Sequence, residues 1–214
     1  TGGIGSTAKH EGFTFDYDLP NETAYAETCA AIGLVFWNQR MLQLDLDGKY
    51  ADSMERALYN GVLSGMSLDG RKYFYNNPLA SLGDVSRQEW FDVSCCPPNI
   101  SRLLASLGNY IYSQNEKDIN VHLYIGGHGL FDVNGEKVKV VQQSNYPWDG
   151  NITLRVEAER PTEFTLNLRI PGWSSGAKLT INGEEVDLEK NLTKGYVRIN
   201  REWQENDEIK LLLP

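Results

Sequence analysis

The chain has almost no cysteine, three residues in 214, and so small and odd a number cannot build a disulfide framework. Two of the three are neighbours, Cys95 and Cys96, and vicinal thiols rarely bridge because the S–S geometry is strained at that spacing. No apolar run approaches the roughly 20 residues that cross a bilayer, so no membrane-spanning helix is expected. Positive charge is in deficit: 20 Lys and Arg against 29 Asp and Glu give a formal net charge of −9. There is no basic stripe to neutralise phosphates, which argues against a nucleic-acid partner. Histidine is scarce too, and His10, His122 and His128 are too scattered to form a site by spacing. The chain opens at Thr1-Gly2-Gly3 with neither an initiator Met nor a signal peptide, as expected of a piece of a longer protein. Internal repeats and low-complexity stretches are missing as well.

What is present reads as an ordinary soluble globular composition, 41% hydrophobic, 23% charged and 11% aromatic, long enough for one large domain or two smaller ones. Residues 1–113 and 118–214 are written in different periodicities. In the first stretch Tyr50, Met54, Ala57, Leu58 and Gly61 recur at helical spacing, as do Ile100, Leu103, Leu104, Leu107 and Ile111. A third helical run extends from about Cys29 to Leu44. From Asn120 onward the pattern shortens to strands: 121–125, 138–141, 152–156, 164–170, 179–181, 196–199 and 209–213. Asn182-Gly183 is a hairpin signal, and the spacing of about seven strands suits a sandwich. The polar segment Ser113–Asp118 is the candidate linker. The fold class expected is therefore α+β in parts, a helical part followed by an antiparallel β-sandwich.

Glu27-Thr28-Cys29 sets a carboxylate two residues from a thiol. In a helix interior that pair points to opposite sides. With Thr28 as N-cap and Cys29 in the first turn, Glu27 is still extended and can swing back to meet the sulfur. Cys95-Cys96 precedes Pro97-Pro98, and proline suits the first helical position, so a helix should begin just after the doublet. Both cysteine groups then stand at helix N-termini, where thiolates are stabilised. Three thiolates and a carboxylate match the tetrahedral ligand set of Zn²⁺, and no histidine is needed to complete it. A reduced, buried thiol cluster accounts for the same spacing. Glu11 by itself reads as a solvated carboxylate, and Glu55, off the apolar stripe of its helix, as a surface residue. The five tryptophans, Trp37, Trp90, Trp148, Trp173 and Trp203, read as core positions or as platforms for sugar rings.

Several strings carry a resemblance. His10-Glu11-Gly12-Phe13, the run from Tyr17-Asp18-Leu19-Pro20-Asn21 through Ala26-Glu27-Thr28-Cys29, Met54-Glu55-Arg56-Ala57-Leu58-Tyr59-Asn60, Cys95-Cys96-Pro97-Pro98-Asn99 and Arg169-Ile170-Pro171-Gly172-Trp173 resemble glycoside hydrolase family 127. That family and the related family 146 comprise β-L-arabinofuranosidases. The resemblance implies that residues 1–117 are the last part of an (α/α)₆ catalytic barrel and 118–214 a β-sandwich domain. It implies Zn²⁺ on Glu27, Cys29, Cys95 and Cys96, with Cys95 as nucleophile and Glu11 as general acid/base. It implies that Glu55 and Tyr75 touch the sugar, and that the partner is an arabinose-containing glycan or glycoside. A bare part-barrel exposes a wide apolar face, so a homodimer is a further expectation. The alternative is a carbohydrate-binding β-sandwich fragment whose zinc is purely structural.

Overall fold

A computed structural model describes all 214 residues, which divide into two compact units. One comprises Thr1–Met41 with Asp52–Ser106, the other Leu42–Ala51 with Leu107–Pro214. Mixed helices and largely antiparallel sheets follow one another along the chain, as the change of periodicity predicts.

Helix α1 (Thr28–Leu44) buries Ala31, Ile32, Val35 and Leu42, a stripe at helical spacing. Helix α2 (Gly48–Ala57) buries Ala51, Met54 and Ala57, then loosens through a π turn at Leu58–Val62 and a 3₁₀ turn at Leu63–Gly65. Glu55 is buried on α2, not on the surface as its place off the apolar stripe suggested. Helix α3 (Cys96–Ala105) opens with prolines in its first turn and buries Ile100 and Leu103. The apolar stripe does not continue as one helix to Ile111. The Ser106 hydroxyl donates to the carbonyls of Arg102 and Leu103, which ends α3, and a short α4 (Gly108–Ile111) restarts the coil.

The sandwich has two sheets. The first runs β1 (Tyr112–Gln114), β2 (Asp118–Val121), β6 (Thr162–Arg169), β10 (Tyr196–Trp203) and β9 (Leu192–Thr193). The second runs β3 (Gly127–Val133), β4 (Glu136–Ser144), β5 (Asn151–Ala158), β11 (Glu208–Leu212), β7 (Lys178–Ile181) and β8 (Glu184–Glu185). All pairs are antiparallel except β2 with β6, which run parallel with Ile119 opposite Leu166. Between α5 (Leu188–Asn191) and β10 the chain turns through Lys194-Gly195, both at positive φ.

Two expectations change here. The polar stretch 113–118 is not a linker but the tip of the β1–β2 hairpin, where the Asn115 side chain accepts from the amides of Lys117 and Asp118. Strand β3 escaped the periodicity because glycines and a histidine dilute it. Its turn into β4, Asn134-Gly135, has both residues at positive φ, as a two-residue hairpin requires.

Inward side chains of both sheets, among them Ile119, Val140, Leu154, Val156, Leu166, Leu168, Val197, Ile209 and Leu211, form one continuous core. Each contributes about 1.5–3 kcal/mol of apolar burial. Trp203 belongs to that core: it stacks on Phe164 and donates its indole N–H to the Phe164 carbonyl at 3.1 Å. Trp37, Trp90, Trp148 and Trp173 are exposed. A buried polar network runs beside the core. The ring nitrogens of His122 meet the Tyr196 hydroxyl at 2.7 Å and the Ser113 hydroxyl at 2.8 Å. Burial, with the nearby Arg169 charge, pulls the imidazole down to about 3.

Candidate active site and metal centre

The segment Tyr25–Thr28 is clamped by backbone on both sides. Ala26 and Glu27 donate to the carbonyls of Gly5 and Ile4 at 3.0 and 3.1 Å, and Thr28 donates to the Tyr75 carbonyl at 3.0 Å. Ala26 holds φ at 37°, a left-handed value that costs an alanine energy and persists because these neighbours over-determine it. The Ala31 amide bonds the Glu27 carbonyl at 3.0 Å, so Glu27, rather than Thr28, is the residue from which α1 departs. Thr28 serves another purpose. Its buried hydroxyl donates to the Phe74 carbonyl at 2.8 Å and accepts from the Asn77 amide at 2.9 Å. Gly65 lies so close that a Cβ there would sit 2.8 Å from that hydroxyl.

Cys29 therefore lies in the first turn of α1, Cys96 opens α3 and Cys95 is its N-cap. All three thiols are free. Their sulfurs converge with the Glu27 carboxylate, four ligand atoms within 4.8 Å of one another. Cys29 and Cys96 sulfurs are 3.5 Å apart and those of Cys95 and Cys96 are 3.7 Å apart. Glu27 Oε1 stands 3.6 Å from Cys95 Sγ and 4.0 Å from Cys96 Sγ. A tetrahedron with metal–sulfur bonds of about 2.3 Å has edges of about 3.8 Å, and with a carboxylate oxygen about 3.6 Å. These four separations fit a four-coordinate cation of that size. Electrostatics agrees. Burial pushes the Cys29 thiol up to about 11, and burial together with Cys29 pushes Cys96 far higher. A bound cation would offset that cost by deprotonating the thiols it coordinates.

Glu11 reaches the same place from a different loop. The turn Thr7–Gly12 is closed by a backbone bridge between its end residues, and both His10 and Glu11 sit at positive φ, 61° and 50°. Two adjacent non-glycine residues held left-handed are a strained presentation of the kind that clusters at functional sites. Glu11 Oε1 accepts from the Tyr25 hydroxyl at 2.8 Å and from the Tyr75 hydroxyl at 3.4 Å. The Cys95 thiol in turn donates to the Tyr75 hydroxyl at 3.3 Å. Tyr75 thus stands between the carboxylate and the thiol, one hydroxyl separating them. Both phenols are held well above the ordinary tyrosine range, Tyr25 by burial and its bond to Glu11, Tyr75 by its bond to Cys95 and by burial. They stay protonated and act as donors.

The structure gathers Glu11, Glu27, Cys29, Tyr75, Cys95 and Cys96, leaving Glu55 outside the four-atom cluster. It adds Tyr25, which sequence reasoning missed and which only its place two residues before Glu27 could have suggested. It also adds Asn99, whose Nδ2 donates to Cys29 Sγ at 2.9 Å. Gly5, at φ 96°, passes so near that a Cβ would lie 3.0 Å from the Tyr25 ring, which keeps that ring in place. A separate cavity of about 610 Å³, lined by Phe13, Phe15, Tyr17, Pro20 and Leu79, holds neither Glu11 nor a cysteine.

Comparison with known proteins bears on this arrangement. Residues 1–109 match the profile described as the β-L-arabinofuranosidase GH127 catalytic domain, and residues 118–214 that of the GH127 middle domain. The chain belongs to glycoside hydrolase family 127. A non-reducing end β-L-arabinofuranosidase of Bifidobacterium longum is 41% identical over 201 residues, covering 86% of this chain and 30% of that protein. The crystal structure of a GH127 β-L-arabinofuranosidase from Geobacillus stearothermophilus T6 superposes with a TM-score of 0.96 at 56% identity, covering 100% of this chain and 35% of that one. A further GH127 β-arabinofuranosidase structure gives a TM-score of 0.94 at 39% identity, covering 100% and 36%. The chain spans about a third of the length of these relatives.

Proposed function

We propose that this chain is the part of a retaining glycoside hydrolase that carries its nucleophile, its acid/base and a Zn²⁺ centre, acting on β-L-arabinofuranosides. Residues 1–117 are read as the last part of an (α/α)₆ catalytic barrel and 118–214 as a β-sandwich domain. The observation that carries the reading is the Tyr75 hydroxyl, hydrogen-bonded to Glu11 on one side and Cys95 on the other. Retaining enzymes need acid/base and nucleophile close together, roughly 5–5.5 Å for paired carboxylates, and a single shared hydroxyl sets a separation of that order.

Glu27, Cys29, Cys95 and Cys96 would hold the zinc, whose contribution when bound is to keep these thiols deprotonated at neutral pH. In the first step Cys95 sulfur bonds to the anomeric carbon while the bond to the leaving oxygen breaks. Glu11 gives that oxygen its proton. With Oε1 held by two tyrosine hydroxyls, Oε2 is the oxygen that carries the transferable proton. In the second step the Glu11 carboxylate takes a proton from water, the water oxygen bonds to the anomeric carbon, and the thiolate of Cys95 leaves. Tyr75, whose hydroxyl meets both groups, is assigned to the sugar by the family strings. Glu55, buried on α2, is assigned to the sugar by the family strings around it.

The test is Cys95→Ala in an enzyme extended to the relatives' length, with zinc counted by elemental analysis and arabinose release followed from an aryl β-L-arabinofuranoside. Turnover should be abolished, while the same assay on the 214-residue chain alone should give little activity. Wild-type turnover by a folded, zinc-loaded Cys95→Ala enzyme would sink the assignment. It would favour instead a purely structural zinc site, whereas sugar binding without turnover, abolished only by changes in the β half, would favour a carbohydrate-binding sandwich.

A further inference from the structure

The three sulfurs of the cluster have different neighbours. Cys95 Sγ faces the Tyr75 hydroxyl and Glu27, and Cys96 is fully buried. Only towards Cys29 does a side-chain amide aim an N–H, from Asn99 Nδ2 at 2.9 Å, a contact spanning 70 residues of sequence. The orientation of that amide is not free to reverse. Asn99 Oδ1 receives the guanidinium of Arg102, one helical turn further along α3, so the NH₂ end is the one left for the sulfur. A cation is thereby connected to the cluster through a polarised amide: Arg102 to Asn99 to Cys29.

Charge explains why such a connection matters. Three thiolates and a carboxylate around a divalent cation leave two negative charges in excess. Burying such a group is costly unless donors meet the charged atoms. The start of α3 offers little backbone donation, since Pro97 and Pro98 have no N–H and the Asn99 amide is bonded to the Cys95 carbonyl, so the Asn99 side chain matters as a donor to Cys29. An N–H bonded to a thiolate also draws on the lone pairs the sulfur would use to attack carbon or to bind a proton. A sulfur so engaged is the poorer nucleophile.

We propose that Asn99, aimed by Arg102, is a positioning residue that fixes Cys29 as a permanent, electron-depleted ligand of the metal cluster and so leaves nucleophilic reactivity to Cys95. This rests on the metal reading above and assigns unequal roles to its sulfurs.

The test uses the 214-residue chain with cobalt(II) as the spectroscopic probe and a chromophoric chelator as competitor. Asn99→Leu keeps the size and branching of the side chain and removes the N–H. The thiolate-to-cobalt charge-transfer band should move to lower energy, and metal affinity should fall by about 10–100-fold, the usual effect of losing a ligand's hydrogen-bond partner. Iodoacetamide labelling of the loaded chain, mapped by peptide mass spectrometry, should shift from Cys95 towards Cys29. Arg102→Gln, at an exposed position, should move the band in the same direction by less. An unchanged band, affinity and labelling order in a folded Asn99→Leu chain overturns the proposal. Should Asn99→Leu fail to fold, an unchanged band in Arg102→Gln overturns it equally. Failure of the wild-type chain to take up cobalt or zinc refutes the metal reading and the proposal together, whereas cobalt bound with identical spectra in variant and wild type refutes the proposal alone.

Discussion

Replacing Thr28 by valine isolates the frame of the proposed metal ligands from the ligands themselves. Valine has the same shape, so no cavity opens and the close contact with Gly65 is kept; the one loss is a hydroxyl that is completely buried. Two hydrogen bonds disappear. Asn77 Nδ2 retains its second acceptor, the Ala26 carbonyl at 3.0 Å, so its loss is mild. The Phe74 carbonyl loses the donor that met it at 2.8 Å. Leaving such a buried group unpaired costs about 1–3 kcal/mol. A midrange cost of about 2 kcal/mol displaces a thermal midpoint by about 4–8 °C at this chain length. Because Thr28 lies between Glu27 and Cys29, the same loss reaches the cluster, and metal affinity should drop by about 10–100-fold. Urea unfolding and chelator competition read the two effects separately. Thr28→Ser, which keeps the hydroxyl and sheds a methyl, should lose about 1 kcal/mol of stability while holding metal as wild type does. A valine variant with wild-type midpoint and wild-type metal affinity would refute the view that this hydroxyl organises the site.

Tyr75→Phe, in the extended enzyme, should lower kcat about 10–100-fold by removing a hydrogen bond to a charged group, with Tyr25→Phe acting through Glu11 in the same direction; steady-state kinetics across pH checks both. Gly65→Ala forces a methyl against Thr28 and should cost about 1–3 kcal/mol, read by denaturant midpoint. His122 makes the sandwich acid-labile. Its folded value, about 3, lies below the unfolded 6.5, so between those pH values only the unfolded chain takes up the proton and stability falls as pH falls, by about 1.4 kcal/mol per pH unit. Unfolding curves from pH 7 to 4 should show that slope in wild type and lose it in His122→Gln. Stripping metal with a chelator should leave the partly exposed Cys29 and Cys95 open to a colorimetric thiol reagent while the buried Cys96 reacts slowly, against fewer reactive thiols in the zinc-loaded chain.

The parts of the site legible in sequence were those whose logic is local. A thiol beside a helix start, a proline after a cysteine doublet and a carboxylate two residues before a thiol each announce their backbone setting within a few positions. Alternation in β5 and helical spacing in α1 were equally plain, because burial on one face writes itself into every second or every third and fourth residue. The hairpin signal at Asn134-Gly135 was there to be read, yet Gly127 and Gly129 weakened the strand before it. Other features depend on contacts far apart in sequence. Tyr25 meets Glu11 across 14 residues and Asn99 meets Cys29 across 70, and neither partner leaves a pattern near the other. Glu55 is buried although it lies off the apolar stripe of α2, because its burial comes from tertiary packing around the helix and not from the stripe itself.

The way the site is assembled bears on the proposal that one cluster holds a cation and still presents a reactive sulfur. Glu27 and Cys29 belong to a segment pinned on both sides by backbone hydrogen bonds and braced by Thr28, so their positions are set before any metal arrives. Cys96, fully buried at the first position of α3, is equally fixed. Cys95 is the N-cap, half-exposed, and its side-chain neighbours beyond the cluster are a tyrosine hydroxyl and no amide. Three donors anchored by the fold define the cation site, and the fourth sits at its edge beside the hydroxyl that leads to Glu11. A ligand that must attack carbon has to be the one held least firmly by the protein. Of the three sulfurs, that description fits Cys95, whose side-chain contact beyond the cluster is the Tyr75 hydroxyl.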